Sequence, residues 1–121
     1  MTVSKKIVYV LEDDPDISEL VKYILDEAGY EVVECGNVRD FNELTNTKNP
    51  DIFVLDILLP DGNGLEVCKL LQANKETAAI PVLMMSANQT KREVEAFGCA
   101  ADFISKPFNI DNFREKVDQF A

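Results

Sequence analysis

Acidic, hydroxyl and basic side chains follow the short apolar runs of this sequence, where they are placed to do chemistry together. Glu12 and Asp13 follow the run IVYVL, Asp56 follows IFVL, Ser86 follows VLMM, and Lys106 follows DFIS. If these runs are parallel strands, their carboxyl ends meet at one edge of a sheet, which is where open α/β folds bind ligands. The sequence therefore predicts three carboxylates, a hydroxyl and an ammonium group at one site.

Three carboxylates at one site need a counter-charge. Two unit charges about 4 Å apart repel by roughly 4 kcal/mol at an effective dielectric near 20, and Lys106 alone does not neutralise three acids. Either one carboxylate stays protonated or a cation binds. Oxygen ligands without histidine or thiolate favour Mg²⁺ that keeps several waters. Such a site resembles centres of phosphoryl transfer, where a metal ion and a lysine balance the charge of the phosphoryl oxygens.

Each of these residues also has an ordinary structural role to weigh. Asp14 and Asp16 suit the N-terminus of a helix, so capping and the helix dipole explain them better than a site does. Ser86 alone would fit a capping hydroxyl, and Lys106 alone would fit a surface lysine. The joint placement of the whole set at matching chain positions favours a functional site.

Apolar runs and amphipathic stretches alternate along the chain and supply the elements that position these residues. Five βα units in a row predict an α/β fold with a parallel five-stranded sheet and helices on both faces. The expected strands are 7–11, 31–35, 52–55, 82–85 and 102–105. The expected helices run from Asp14-Pro15 to Gly29, over 38–46, over 65–73, from 89 to 97 before Gly98, and from the Asn109 cap onward.

Length and composition limit the classes of function. The 121 residues and 13.6 kDa fit one domain, residues 1–121. A net charge of -10 would repel nucleic acid. The absence of histidine from the sequence excludes serine–histidine and cysteine–histidine hydrolases and histidine-ligated metals. Three widely spaced cysteines indicate free thiols in a reducing cytoplasm, and no apolar run approaches a membrane span or a signal peptide.

The sequence resembles a receiver domain of two-component response regulators over essentially its whole length. The matching stretches are VYVLEDDPDI, IFVLDILLPDGNGLEV, VLMMSA and ADFISKPF, in the expected order and spacing. The resemblance implies a flavodoxin-like (βα)5 fold with strand order 2-1-3-4-5, an order that is carried over from the family.

The resemblance implies that Asp56 is the phosphoacceptor, a carboxylate nucleophile that forms an aspartyl phosphate. Mg²⁺, or Mn²⁺ in its place, would be bound by Asp13, Asp56 and the backbone carbonyl of Leu58, with Glu12 reaching it through water. Lys106 would hold a phosphoryl oxygen. Glu12 stands where many members have Asp, which lengthens the reach and keeps the charge.

Further roles follow from the same resemblance. Pro107 would make a cis peptide that aims the lysine before it. Ser86, where Thr is commoner, would bond the phosphoryl group, and Phe103 occupies the aromatic switch position without the hydroxyl of Tyr. Leu58 and Asn88, each two residues after a site residue, would tune the phosphoryl lifetime, and an apolar Leu58 predicts slow loss of phosphate.

The implied partners are a sensor histidine kinase or phosphotransfer protein and a downstream effector domain or protein. A homodimer linked to phosphorylation is also compatible with the family, whereas direct nucleic-acid or membrane binding is not expected. The domain would be cytoplasmic and not an enzyme, catalysing only its own phosphorylation and slow autodephosphorylation. Met1 suggests a true N-terminus, belonging to a stand-alone regulator or to a receiver excised from a longer one.

Rival classes fit the residues less well. A nucleotide binder needs a phosphate-cradling loop after the first strand, where Glu12 and Asp13 would repel phosphate. A haloacid-dehalogenase-type phosphatase needs a second acid where Leu58 stands. A calcium loop starting at Asp61 lacks the required ligands. The alternative left open is a degenerate receiver that acts as an interaction module without phosphorylation.

Overall fold

Five parallel strands form the main sheet and, numbered along the chain, lie in the order 2-1-3-4-5. The computed structural model describes residues 5–45 and 47–121. The strands are β1 (Ile7–Leu11), β2 (Glu31–Cys35), β3 (Ile52–Asp56), β4 (Val82–Ser86) and β5 (Asp102–Ser105). Five helices alternate with them: α1 (Pro15–Glu27), α2 (Val38–Thr45), α3 (Gly64–Ala73), α4 (Lys91–Phe97) and α5 (Ile110–Phe120). The predicted flavodoxin-like fold and its strand order are confirmed.

Local sequence signals explain where the helices begin and end. The Asp14 side chain caps α1 by accepting from the backbone N–H groups of Asp16 and Ile17. Thr90 and Glu93 form a capping box, so α4 begins at residue 91 rather than at the predicted residue 89. The predicted end of α2, residue 46, lies outside the described residues. The same holds for residue 1, where the predicted domain begins.

The sheet divides the apolar core into two clusters, because successive side chains of a strand point to opposite faces. Val8 and Val10 of β1 pack with side chains from α1 and α5. Tyr9 and Leu11 of the same strand pack with side chains from α2, α3 and α4. Every residue of β3 and β4 is buried, as expected for central strands covered on both faces. The two central strands therefore hold their final residues, Asp56 and Ser86, in a rigid frame.

A two-stranded antiparallel ribbon that the sequence analysis did not predict follows β3. Leu58–Leu59 pairs with Gly62–Asn63. The Asn63 side chain then caps α3 by accepting from the backbone N–H of Leu65 at 2.8 Å, so α3 starts one residue earlier than predicted. The ribbon lies directly after the carboxyl end of β3, beside the predicted site.

Within the described residues, no helix has both the length and the apolar character needed to cross a bilayer. The longest, α1, has 13 residues.

Candidate functional site

Asp56 ends β3 and lies at the centre of the site. Asp56 is only 7% exposed, so protein groups rather than bulk water surround its carboxylate. One oxygen, Oδ1, accepts from the backbone N–H of Ile57 at 2.8 Å. The other, Oδ2, lies 3.1 Å from Nζ of Lys106. A buried carboxylate fixed in this way presents its oxygens in one orientation, which a nucleophile needs.

The three predicted acids come together as the strand order requires, since β1 is the neighbour of β3. Glu12, Asp13 and Asp56 each place one carboxylate oxygen within 4.8 Å of those of the other two. Glu12 is buried, with Lys106 paired to its carboxylate, whereas Asp13 is exposed. The cluster therefore has a buried side held by the protein and a side open to solvent.

The cluster is electrostatically crowded. Burial, together with the hydrogen bond and the charge of Asp56, raises the pKa of Glu12 to about 7, although the hydrogen bond with Lys106 opposes the rise. Burial alone would lower the pKa of Lys106, but the hydrogen bond with Glu12 and the charge of Asp56 raise it on balance. The single ammonium group of Lys106 thus pairs with the two buried carboxylates, Glu12 and Asp56. With Asp13, the cluster has more acidic groups than this one positive charge can balance.

The donor set fits a hard divalent cation. All three converging side chains offer carboxylate oxygens, and no histidine exists in the sequence to compete for softer metals. Mg²⁺ usually keeps several water ligands and binds only a few protein oxygens. The small number of carboxylates here and the exposure of Asp13 to solvent suit such an ion. The fold therefore brings together the three carboxylates that the sequence predicts around a Mg²⁺ ion.

Lys106 and Ser86 reach the site from β5 and β4. The backbone N–H of Lys106 donates to the carbonyl of Ser86 at 2.9 Å, which joins the two strand ends. The peptide bond between Lys106 and Pro107 is cis, as predicted. The lysine side chain is largely buried where it meets Asp56.

The Ser86 hydroxyl is engaged by the loop that follows it. Its oxygen accepts from the backbone N–H groups of Asn88 and Gln89, both at 3.1 Å, and its O–H donates to Oε1 of Gln89 at 2.5 Å. Ser86 is 2% exposed. To bond a phosphoryl group on Asp56, this hydroxyl has to give up its bond to the Gln89 side chain.

The remaining predicted residues lie at different depths. Phe103 is buried and packs in the cluster beneath α2, α3 and α4. Its ring therefore lies inside the protein, packed in the core. Leu58 is 53% exposed, and Asn88 is also exposed, so both side chains are accessible to solvent.

Three supporting residues were not identified by sequence reasoning. Gln89 holds the Ser86 hydroxyl. Asp61 caps α2 by accepting from the backbone N–H groups of Val38 and Arg39 at 2.7 and 3.1 Å. Gly64 lies against the backbone of Asp56. The sequence signal for the last two is the run Asp61-Gly62-Asn63-Gly64, whose residue types favour turns and caps.

Replacing Gly64 with Ala is expected to destabilise the chain. An added Cβ would lie 1.9 Å from the carbonyl oxygen of Asp56, which is backbone and has no flexible end to move aside. We expect a loss of about 3 kcal/mol in the free energy of unfolding, the upper end of overpacking costs, measured by urea denaturation. Gly36→Ala is the control, because its Cβ would meet only the Glu12 carbonyl oxygen at 4.0 Å. Equal stability losses in the two variants would contradict this account.

Comparisons with known proteins agree with this geometry. The family model described as the response regulator receiver domain matches residues 8–118. The transcriptional regulator RpaA of Synechocystis is 35% identical over 112 residues, 91% of this chain and 46% of RpaA. The response regulator DivK of Brucella anthropi is 32% identical over 118 residues, 95% of each protein. The chain thus spans about half the length of RpaA and nearly all of DivK.

Solved structures give the same result. The response regulator TrrA of Thermotoga maritima, in complex with Mg²⁺ and BeF, superposes with a TM-score of 0.86 at 30% identity. The superposition covers 96% of this chain and 99% of TrrA.

Proposed function

Since this chain belongs to the response-regulator receiver family, as its match to the family model over residues 8–118 shows, we propose that it is a signalling switch phosphorylated on Asp56. The observation that carries the proposal is the buried Asp56 carboxylate, with Lys106 at 3.1 Å and two further acids beside it. Phosphoryl transfer needs a fixed nucleophile and positive charge near the phosphoryl oxygens, and little other chemistry from the protein.

In the proposed reaction, an oxygen of Asp56 forms a bond to phosphorus while the bond from phosphorus to the donor breaks. The electron pair of that bond leaves with the donor group. Lys106 lies against the carboxylate and is placed to neutralise a phosphoryl oxygen. The proposed reaction is a single self-modification rather than turnover of outside substrates, because Leu58 stands where a phosphatase of similar chemistry has its second acid.

The proposed cofactor is Mg²⁺, with Mn²⁺ as a substitute of similar ligand preference. Asp13, Asp56 and the carbonyl of Leu58 would bind it directly, and Glu12 would act through water. When bound, the ion would neutralise charge on the transferred phosphoryl group. The exposed Asp13 keeps this side of the cluster open to solvent, while Glu12 and Lys106 hold the buried side.

The proposed output is a change in the surface formed by α4, β5 and α5. A phosphoryl group adds up to about two negative charges and strong acceptor oxygens beside Ser86 and Lys106. Recruiting the Ser86 hydroxyl would release Gln89 and so alter the loop before α4. Moving a population from 1:99 to 99:1 takes roughly 5.5 kcal/mol of differential interaction, which a few charge-assisted bonds can supply.

Phosphorylation is therefore expected to change amide chemical shifts at Ser86, Gln89 and Phe103, as well as at Asp56. The measurement is a pair of amide NMR spectra before and after addition of acetyl phosphate with Mg²⁺. In the matched Ser86→Ala variant, the changes at Asp56 should remain while those at Phe103 shrink. Shift changes confined to the surroundings of Asp56 in the unsubstituted chain would contradict the switch.

The proposed partners are a sensor histidine kinase or phosphotransfer protein as donor and an effector domain or protein as target, in the cytoplasm. A phosphorylation-linked homodimer is a further candidate for the output. The net charge of -10 argues against direct nucleic-acid binding by this domain. The competing proposal, an interaction module that needs no phosphorylation, gives no reason for the pairing of Lys106 with buried Asp56.

A further inference from the structure

The hydrogen bonds of the Ser86 hydroxyl use its one proton and both of its lone pairs. A serine hydroxyl has a single proton to donate and two lone pairs that accept. The backbone N–H groups of Asn88 and Gln89 occupy the two lone pairs, each at 3.1 Å. The third bond, to the Gln89 side chain at 2.5 Å, is therefore made by the proton and meets the amide oxygen Oε1. The hydroxyl is thus fully committed to the loop that follows β4.

A phosphoryl group on Asp56 would need this same proton. Asp56 and Ser86 end neighbouring strands, and the register of β3 and β4 pairs Asp56 with Met85, the residue before Ser86. The oxygens of a phosphoryl group are strong hydrogen-bond acceptors. The Gln89 oxygen and a phosphoryl oxygen would therefore compete for one hydroxyl proton, which can be given to only one of them at a time.

Burial strengthens this competition. Ser86 is 2% exposed, so bulk water does not readily replace a lost acceptor. A buried donor left without a partner is unfavourable, because its desolvation is no longer compensated. Gln89 is partly exposed, so its side chain can turn to solvent once it is released. The hydroxyl is therefore expected to exchange one acceptor directly for the other.

Gln89 also links this hydrogen bond to α4. The next residue, Thr90, caps that helix: its hydroxyl accepts from the backbone N–H of Glu93 at 3.2 Å, and its own backbone N–H donates to the Glu93 carboxylate at 3.4 Å. Val94 follows directly and is buried in the same cluster as Phe103. The state of the Gln89 side chain is thus connected to the start of α4 and to the packing beneath it.

We propose that Gln89 is a positioning residue that latches Ser86 in the unphosphorylated chain, so that its side chain opposes the switch until a phosphoryl oxygen displaces it. The latch rests on the proposed phosphorylation of Asp56, and it adds a residue that sets how readily the chain responds. Removing the Gln89 acceptor frees the Ser86 proton in advance, which makes the hydroxyl easier to recruit. Gln89 acts through Ser86, whose hydroxyl it holds.

The test measures how tightly the folded chain binds beryllofluoride, a non-covalent mimic of the phosphoryl group, in the presence of Mg²⁺. The dissociation constant, followed by amide NMR titration, includes the free energy of recruiting Ser86. Gln89→Met keeps the length of the side chain but replaces the amide with a thioether, which is a weak acceptor. We expect about fivefold tighter binding, which corresponds to about 1 kcal/mol, the usual net contribution of one hydrogen bond.

Three further variants separate a latch from a general role in holding the loop. Gln89→Glu keeps an oxygen acceptor for the Ser86 proton, so it should bind beryllofluoride no more tightly than the unsubstituted chain. Ser86→Ala has no hydroxyl proton, so adding Gln89→Met in that background should bring no gain. Gln72→Met is the matched control at an exposed position of α3 and should leave the dissociation constant unchanged. If Gln89 only held the loop in shape, its loss would weaken binding, which is the opposite sign.

Unchanged or weaker binding by Gln89→Met would overturn the latch, as would an equal gain in the Ser86→Ala background. Either result leaves the phosphorylation proposal standing, because the unsubstituted chain would still bind beryllofluoride and gain phosphate on Asp56 from acetyl phosphate. An unsubstituted chain that does neither would refute the phosphorylation proposal, and the latch with it. The two failures are therefore told apart by the unsubstituted chain alone.

Discussion

Replacing Asp56 with Asn is expected to abolish phosphorylation of this chain. The amide keeps the shape of the carboxylate and can still accept from the backbone N–H of Ile57, but it removes the charge and the nucleophilic oxygen beside Lys106. The measurement is intact mass after incubation with acetyl phosphate and Mg²⁺. One phosphoryl group should appear on the unsubstituted chain, and the variant should remain at background.

Asp51→Asn is the matched control for this experiment. Asp51 is exposed and accepts from the backbone N–H of Ile7, at the opposite end of the strands from Asp56. The control should gain phosphate at the unsubstituted rate, and a chelator should stop the reaction in both chains. A phosphoryl group on Asp56→Asn at the unsubstituted rate would refute the assignment of Asp56 as the phosphoacceptor. A reaction that the chelator does not slow would refute the metal requirement.

The fold could be predicted from the sequence because its signals are local and agree with one another. The β1, β2 and β5 segments are bounded as predicted, since continuous apolar or alternating runs end at turn residues. β3 and β4 each extend one residue further, through Asp56 and Ser86. The predicted strands stop one residue short because a strand buried on both faces is expected to be apolar, whereas Asp56 and Ser86 are polar.

Only part of the site could be predicted in the same way. The meeting of Glu12, Asp13 and Asp56 follows from strand order, which the family resemblance supplied. The hydrogen bonds of Gln89 with Ser86 and of Asp61 with the start of α2 depend on how a loop returns to a distant element. Periodicity and composition carry no information on such contacts.

Leu58 offers a direct test of what governs the lifetime of the phosphorylated form. Hydrolysis of an aspartyl phosphate needs a water aligned opposite the leaving carboxylate. Leu58 begins the ribbon directly after Asp56 and Ile57, and its side chain is 53% exposed. It offers no hydrogen bond and occupies space at the rim, while the exposed Asn88 can bond water but is a poor base. Both properties favour slow loss of phosphate.

Leu58→Asn is therefore expected to speed autodephosphorylation. An amide at the rim can orient the attacking water, and we expect roughly a tenfold faster decay, less than a side chain that itself takes a proton would give. The measurement removes the phosphodonor and follows the fraction of phosphorylated chain by intact mass. Leu70→Asn is the control, because Leu70 is 68% exposed on α3 and its substitution should leave the decay unchanged. Unchanged or slower decay in Leu58→Asn would show that Leu58 is not what limits hydrolysis.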